Sequence, residues 1–199
     1  AVKSYGATVV LFGDNYSEAA EHCALLVAQS GMIFIPPFDD ELVIAGQGTV
    51  ANELLRQSAG NMDAVFIPVG GGGLLAGMAV FLKALCPQVK VIGVEPVDSD
   101  AMAQSLAAGR RVKLDSVGIF ADGVAVREVG KLTFELCRHH VDEIICVDID
   151  EICSSIKSVY QATRSIVEPA GALALAGLKK YVRERGVKDQ TLIAINSGA

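Results

Sequence analysis

The sequence lacks an excess of positive charge: 17 basic residues stand against 23 acidic ones, for a net charge of −6. Gripping a phosphate backbone requires a basic stripe, so no nucleic-acid partner is expected. It also lacks any apolar run near the roughly 20 residues a membrane-spanning helix needs, because Gly, Pro or polar residues break every such stretch early. No membrane association is expected. The five cysteines, at 23, 86, 137, 146 and 153, are odd in number and never spaced C-x-x-C, which argues against a disulfide framework and a zinc site. Free, mostly buried thiols in a reducing cytoplasm are the expectation. Charged residues are scarce at 20%, whereas hydrophobic ones make up 51%, the reverse of a disordered composition. A chain of this length hides about 70% of its extended-chain surface on folding, enough for a real core in one domain or slightly more.

There is no starting Met and no charged-then-apolar leader segment. Residues 1–7 read as the last turn of a helix stopped by Gly6. An internal piece of a longer protein is expected, and the abrupt ending at Ser197-Gly198-Ala199 agrees.

What is present is an alternation of two patterns. Short β-rich apolar runs fall at 8–12, 32–35, 64–69, 90–94, 144–147 and 191–195. Helical spacing covers 17–29 (capped by Ser17), 47–58, 74–85, 101–108, 128–139, 149–165 and 170–185. Apolar strands alternating with helices predict an α/β fold with a mostly parallel sheet covered on both faces. Pro36-Pro37-Phe38-Asp39-Asp40 suits neither a helix nor a central strand, so a boundary is expected there, dividing residues 1–38 from 39–199.

Gly70-Gly71-Gly72-Gly73 stands between a buried strand and a helix. Consecutive glycines are costly in backbone entropy, so the absence of Cβ atoms must serve something. A helix N-terminus offers unpaired N–H groups and partial positive charge, and glycines let an anion approach them. A tight turn with glycines for packing alone is the bland alternative. A nucleoside-triphosphate loop is excluded, because Leu74-Leu75 follows Gly73 where Gly-Lys-Ser/Thr is required. Two ligands stay open. Gly71-x-Gly73-x-x-Ala76 fits a dinucleotide fingerprint, with Glu95 after the next strand as a ribose-binding acid. A single phosphate monoester, held by backbone amides alone, fits as well.

Other segments carry a resemblance. Tyr5-Gly6-Ala7, Gly13-Asp14-Asn15, Pro37-Phe38-Asp39, Ile44-Ala45-Gly46-Gln47-Gly48-Thr49 and Val69 to Leu74 occur in order. Val94-Glu95-Pro96, Ala121-Asp122-Gly123-Val124, Glu168-Pro169-Ala170-Gly171-Ala172 and Ser197-Gly198 follow. The ordered set resembles the pyridoxal-phosphate enzymes of the tryptophan-synthase-β type, and within them the threonine dehydratases, most nearly the biosynthetic form. The resemblance implies a three-layer fold of that type, incomplete at its N-terminus, with 1–38 as a remnant of the small lobe and 39–199 as the cofactor domain. It implies that Gly70, Gly71, Gly72, Gly73 and Leu74 hold the phosphate of pyridoxal 5'-phosphate and that Ser197 meets the pyridine nitrogen. It also brings Asp122-Gly123 and Glu168 to the cofactor face, although the first is also a turn signal and Glu168-Pro169 also a helix start. Gln47-Gly48-Thr49 either shapes the cleft or begins a helix. Some relatives bind a divalent cation through a carboxylate at the position of Glu95 and another six residues on. Ala101 stands there in this chain, so no metal is expected and Glu95 is a weak candidate. The histidines, His22, His139 and His140, read as helix surface.

The family's Schiff-base lysine sits in a Ser-Phe-Lys context that no lysine here has, and its Ser-Gly-Asn-His loop is absent too. No catalytic residue is therefore assigned in this chain, and the 199 residues alone are expected to be inactive. The implied parent activity is a lyase reaction in isoleucine biosynthesis: deamination of L-threonine, with serine an open alternative, to 2-oxobutanoate and ammonia. A homo-oligomer is expected, in the cytoplasm or in a eukaryotic organelle. The rival readings are a non-catalytic phosphate-binding or subunit-interaction remnant and a Rossmann NAD-dependent oxidoreductase.

Overall fold

The computed structural model describes residues 2–14, 16–58 and 61–198. The chain divides into two compact units, Ala1–Ile35 and Pro36–Ala199.

In the first unit a 3-10 turn, Val2–Tyr5, ends at Gly6, whose φ of 82° and N–H to the Lys3 carbonyl close it as the sequence suggests. Helix α1, Tyr16–Ser30, is closed by Gly31 at φ 69°. The described helix begins at Tyr16, and the cap expected at Ser17 concerns a side chain that, like Ala1 and Asn15, lies outside the described residues. The strands expected at 8–12 and 32–35 do not form. Both runs are irregular, with Leu11 90% and Ile33 88% exposed. β-Propensity expresses fit to a half-buried pleated surface, and a strand also needs a ladder partner for its backbone groups. Neither run has one among the described residues.

The second unit is built on four parallel strands: β1 Ala64–Pro68, β2 Lys90–Pro96, β3 Glu143–Val147 and β4 Leu192–Ala194. Their order is β3-β2-β1-β4. Alternation along each strand feeds two cores. Val65, Ile67 and Val91 face helices α3 (Gly73–Leu85) and α5 (Lys131–His140), meeting Leu75, Met78, Leu82 and Phe134. Ala64, Phe66, Ile92 and Val94 face α6 (Ile149–Thr163) and α7 (Pro169–Arg185), meeting Ile152, Leu173 and Tyr181. Fully burying one such large side chain is worth about 1.5–3 kcal/mol, which is why the buried strands read as near-continuous apolar runs.

Helix α2, Glu41–Ser58, starts six residues before the expected Gln47. Asp40 is the reason: its Oδ1 accepts from the amides of Leu42 at 2.9 Å and Val43 at 3.1 Å, an N-cap that apolar periodicity does not reveal. Gln47, Gly48 and Thr49 are thus mid-helix rather than a helix start. Gly48 is there for packing: a Cβ on it would lie 3.0 Å from the Gly77 carbonyl oxygen of α3. Helix α4, Ala101–Ala108, falls where the pattern placed it, and α6 begins with a reciprocal Asp148–Glu151 capping box.

Candidate functional site

The strand order locates a site before any side chain is considered. From β1 the chain steps to β2 and on to β3 in one direction, and then returns across the sheet to place β4 on the far side of β1. The helix that follows β1, α3, lies on one face of the sheet and the helix that precedes β4, α7, on the other, so the winding reverses between these two neighbours. In open parallel sheets the crevice at such a reversal, beyond the carboxyl ends of the strands, is where ligands bind. The turn after β1 is Val69 to Gly73. The segment after β4 is Ile195 to Gly198, still tied to β1 by the Ile195 amide on the Phe66 carbonyl at 3.0 Å. Glycine run and Ser197 therefore leave neighbouring strand ends.

In the glycine turn, the Val69 amide makes the last ladder bond, to the Val94 carbonyl at 2.9 Å. The next hydrogen-bonded amide is that of Ala76, on the Gly72 carbonyl at 2.8 Å. Among the described residues no protein acceptor takes the N–H groups of Gly70, Gly71, Gly72, Gly73 or Leu74, and Gly72, the N-cap, has no side chain to help. These are the orphan donors at the positive end of α3, the arrangement that binds an anion.

The missing Cβ atoms have a second cause, which the sequence does not disclose. Each glycine has a protein neighbour where its Cβ would be. Gly70 has Val124 Cα at 3.1 Å, Gly72 has Met102 Cε at 2.7 Å and Thr133 Cβ at 3.0 Å, and Gly73 has Phe38 Cβ at 3.0 Å. A Cβ on Gly71 would overlap the Phe38 ring. Only Gly72 also needs a positive φ, 95°. Packing thus accounts for the glycines, while the bare amides carry the anion-binding property.

The softer site residues are gathered at the same edge of the sheet. A Cβ on Gly198 would overlap the Glu168 carboxylate, and one on Gly123 would lie 3.4 Å from Glu168 Oε1. Gly171 has no room for a Cβ against the Gly198 carbonyl, and Asn196 Oδ1 accepts from the Gly198 amide at 3.3 Å. Val124, in the 3-10 turn Asp122–Val124, joins this group to Gly70. Gly123, Glu168 and Ser197 are all exposed, so the edge is open on the side the strand ends point to. Phe38, Asp39, Thr133 and Asn196 belong to this surround; Phe38 and Asp39 stand in the ordered motif set without a role given to them, and Thr133 and Asn196 stand in no motif. Asp39 is the nearest to a signal, standing after Pro-Pro-Phe at the expected boundary.

Glu95 is elsewhere in purpose. It is fully buried at the end of β2, and its two oxygens accept from the amides of Met102 at 2.9 Å and Ala103 at 2.8 Å, capping α4 from a distance. With both oxygens so used, it reaches no ribose hydroxyl, and the dinucleotide reading loses its acid. No group of three His, Cys, Asp or Glu side chains gathers for a metal among the described residues. Burial pushes the Glu95 carboxyl from 4.5 up to about 8, Asp100 adds to this, and the two amide donors oppose it. The Cys137 thiol, buried beside it on α5, is driven up as well. Because the folded-state value is raised, the contribution to stability is complete below about pH 4.5 and is lost as pH rises through about 8. Melting temperature is expected to fall over that window in the wild type and to fall less in Glu95→Gln, which loses one cap but cannot ionise. Parallel curves for the two proteins would refute this.

His22 stacks on Phe12 with ring centroids 4.0 Å apart, and His139 and His140 end α5, where the helix dipole favours them.

Comparison with known proteins agrees with this geometry. The family described as "Pyridoxal-phosphate dependent enzyme" matches residues 1–198. The chain is 55% identical over 199 residues to the chloroplastic biosynthetic threonine dehydratase of Arabidopsis thaliana, covering all of this chain and 34% of that protein. It is 50% identical to the biosynthetic L-threonine dehydratase of Escherichia coli, over all of this chain and 38% of that protein. Among solved structures, the processed form of threonine deaminase isoform 2 from Solanum lycopersicum superposes with a TM-score of 0.96 at 47% identity, over 100% of this chain and 57% of that one. Serine racemase from Dictyostelium discoideum superposes with a TM-score of 0.85 at 35% identity, over 99% and 62%. The chain spans a little over a third of the length of the curated relatives it matches.

Proposed function

The chain belongs to the pyridoxal-phosphate dependent enzyme family, and from that premise we propose that the whole protein is a threonine dehydratase of the biosynthetic type. The observation that carries the reading is the row of bare amides from Gly70 to Leu74 beside the strand end bearing Ser197. The names of the relatives support the substrate, L-threonine, with serine the alternative. The word "biosynthetic" in those names supports a place in amino-acid synthesis, toward isoleucine.

The residues present fit pyridoxal 5'-phosphate. Its phosphate dianion needs several donors and no counter-charge beyond a helix dipole, which is what Gly70, Gly71, Gly72, Gly73 and Leu74 offer. When bound, pyridoxal 5'-phosphate would supply a conjugated ring able to take up an electron pair from the substrate α-carbon. Ser197 would offer the ring nitrogen a neutral hydroxyl, which would not enforce protonation as a carboxylate does. That keeps the electron sink weak and favours prompt departure of a β-hydroxyl. Gly123 would let the chain run close to the cofactor face, and Glu168 would present its carboxylate there, beside Gly123 and Gly198. The net reaction removes ammonia from L-threonine and leaves 2-oxobutanoate, the water lost in the first half being regained when the imine hydrolyses.

Residues 1–38 are read as part of the small lobe and 39–199 as the cofactor domain; the division into compact units at Pro36 supports a boundary here. A homo-oligomer is proposed, in the cytoplasm or, in a eukaryotic host, in an organelle. Relatives named chloroplastic and mitochondrial support the second option, and no helix among the described residues is long and apolar enough to cross a membrane.

The test is release of 2-oxobutanoate from L-threonine by the full-length protein, which is expected to be robust, against none from the 199-residue chain. No keto acid from the full-length protein with pyridoxal 5'-phosphate added would overturn the reading. Turnover by the 199 residues alone would overturn the view that the catalytic lysine lies outside them.

A further inference from the structure

The Gly71 carbonyl turns away from the open side of the glycine run and into the protein. It accepts from Thr133 Oγ1 at 2.7 Å and from the Gly130 amide at 3.2 Å, both at the start of α5. Thr133 is fully buried, and its hydroxyl makes this one strong bond. In a planar trans peptide the C=O and the following N–H point in opposite directions. Anchoring the Gly71 oxygen on α5 therefore aims the Gly72 N–H away from α5. Gly72 has no Cβ to restrict its backbone, stands at a φ of 95° and has no side-chain cap, so nothing of its own holds that orientation.

The anchor is itself fixed. Asp39 places one carboxylate over the first turn of α5, its oxygens accepting from the amides of Lys131 at 2.9 Å, Leu132 at 2.8 Å and Thr133 at 3.2 Å. Phe38, the preceding residue, fills the space under Gly71 and Gly73. A Cβ on Gly130 would lie 2.7 Å from Thr133 Oγ1, so α5 begins hard against its own anchor.

We propose that Thr133 is a positioning residue for the cofactor phosphate: its hydroxyl holds the Gly71 carbonyl so that the Gly72 amide, and the row it belongs to, points at the anion. Thr133 touches no ligand itself. The proposal rests on the cofactor reading given above and adds to it a device for pre-organising donors, whose value lies in the freedom removed before binding.

The test titrates full-length apoprotein with two ligands, pyridoxal 5'-phosphate and pyridoxal, which differ only in the phosphate. Thr133→Val keeps the shape and removes the donor; Thr133→Ser keeps the donor. Loss of one buried hydrogen bond predicts binding of pyridoxal 5'-phosphate weakened about 5- to 20-fold in Thr133→Val, with pyridoxal changed less than about 2-fold. Thr133→Ser is expected to match the wild type for both ligands. Equal loss for both ligands, or for neither, overturns the proposal and leaves Thr133 a packing residue. If Thr133→Val does not fold, Thr133→Cys, with a weak S–H donor of similar size, carries the same comparison with a smaller loss in pyridoxal 5'-phosphate alone. A wild type that binds the two ligands equally would instead refute the phosphate site itself.

Discussion

Gly72→Ala in the full-length protein is expected to lower affinity for pyridoxal 5'-phosphate by more than about 100-fold, roughly 2.7 kcal/mol. Two separate physical terms produce this. The backbone at Gly72 has φ 95° and ψ 0°, and a residue with a Cβ resists that left-handed region by about 1–2 kcal/mol. The new methyl would also lie 2.7 Å from Met102 Cε and 3.0 Å from Thr133 Cβ, both side chains fully buried. Overpacking of that kind costs about 1–3 kcal/mol, and the turn can relieve it only by rotating. Rotation redirects the amides on either side, so the strain appears as lost ligand affinity more than as lost fold. Gly46→Ala is the control: nothing lies within 4 Å of its Cβ, and in a helix the exchange stabilises by up to about 1 kcal/mol. Equilibrium titration of both variants reads the difference. A Gly72→Ala protein that binds like the wild type would show that the turn does not need its observed backbone.

Gly77→Ala is expected to act on stability instead, lowering it by about 3 kcal/mol. Gly77 lies where α3 crosses α2, and the three atoms nearest to its Cβ position all belong to the α2 backbone. It would overlap the Ile44 carbonyl oxygen and lie 2.7 Å from the Gly48 amide nitrogen. A flexible side chain could swing aside, but a helix backbone moves only as a body. Helices α2 and α3 would have to separate, opening the core formed by Ile44, Ala51, Leu75 and Met78. For a domain of this size the loss corresponds to a fall in melting temperature of about 6–12 °C. Thermal unfolding measures it, and an unchanged midpoint would mean that the helices have slack the packing does not show. The preference for pyridoxal 5'-phosphate over pyridoxal is expected to survive in the folded fraction, which separates this effect from that of Gly72→Ala.

Legibility in the sequence followed the strength of local signals. Strands β1 and β2 were readable because they are buried on both faces and so run apolar without interruption. The end of α7 was readable because Gly186 adopts the left-handed C-cap conformation at φ 59°. The glycine turn announced itself by composition. By contrast, residues 8–12 and 32–35 carry strong β-propensity and form no strand, since propensity supplies no ladder partner. The α2 start was hidden because its cap, Asp40, precedes two glycines that weaken helical periodicity. At the site, the sequence showed which residues carry donors but not what holds them. The bond from Thr133 to Gly71 joins residues 62 positions apart, and the Asp39 bonds to α5 span 92 to 94 positions. No motif spacing encodes contacts of that range. Glu95 is the opposite case: a carboxylate after a strand suggested a ligand, and the fold uses it as a buried helix cap.

Main-chain nitrogens beyond β1, seizing a phosphate ester, are the heart of the proposed site. Amide spectroscopy of full-length protein labelled at glycine and leucine, with pyridoxal 5'-phosphate and then pyridoxal added to the apoprotein, reads those nitrogens directly. Large downfield proton shifts at Gly70, Gly71, Gly72, Gly73 and Leu74 with the phosphorylated ligand, and much smaller ones without the phosphate, are the predicted result. Binding of pyridoxal 5'-phosphate that leaves these five resonances in place would contradict it.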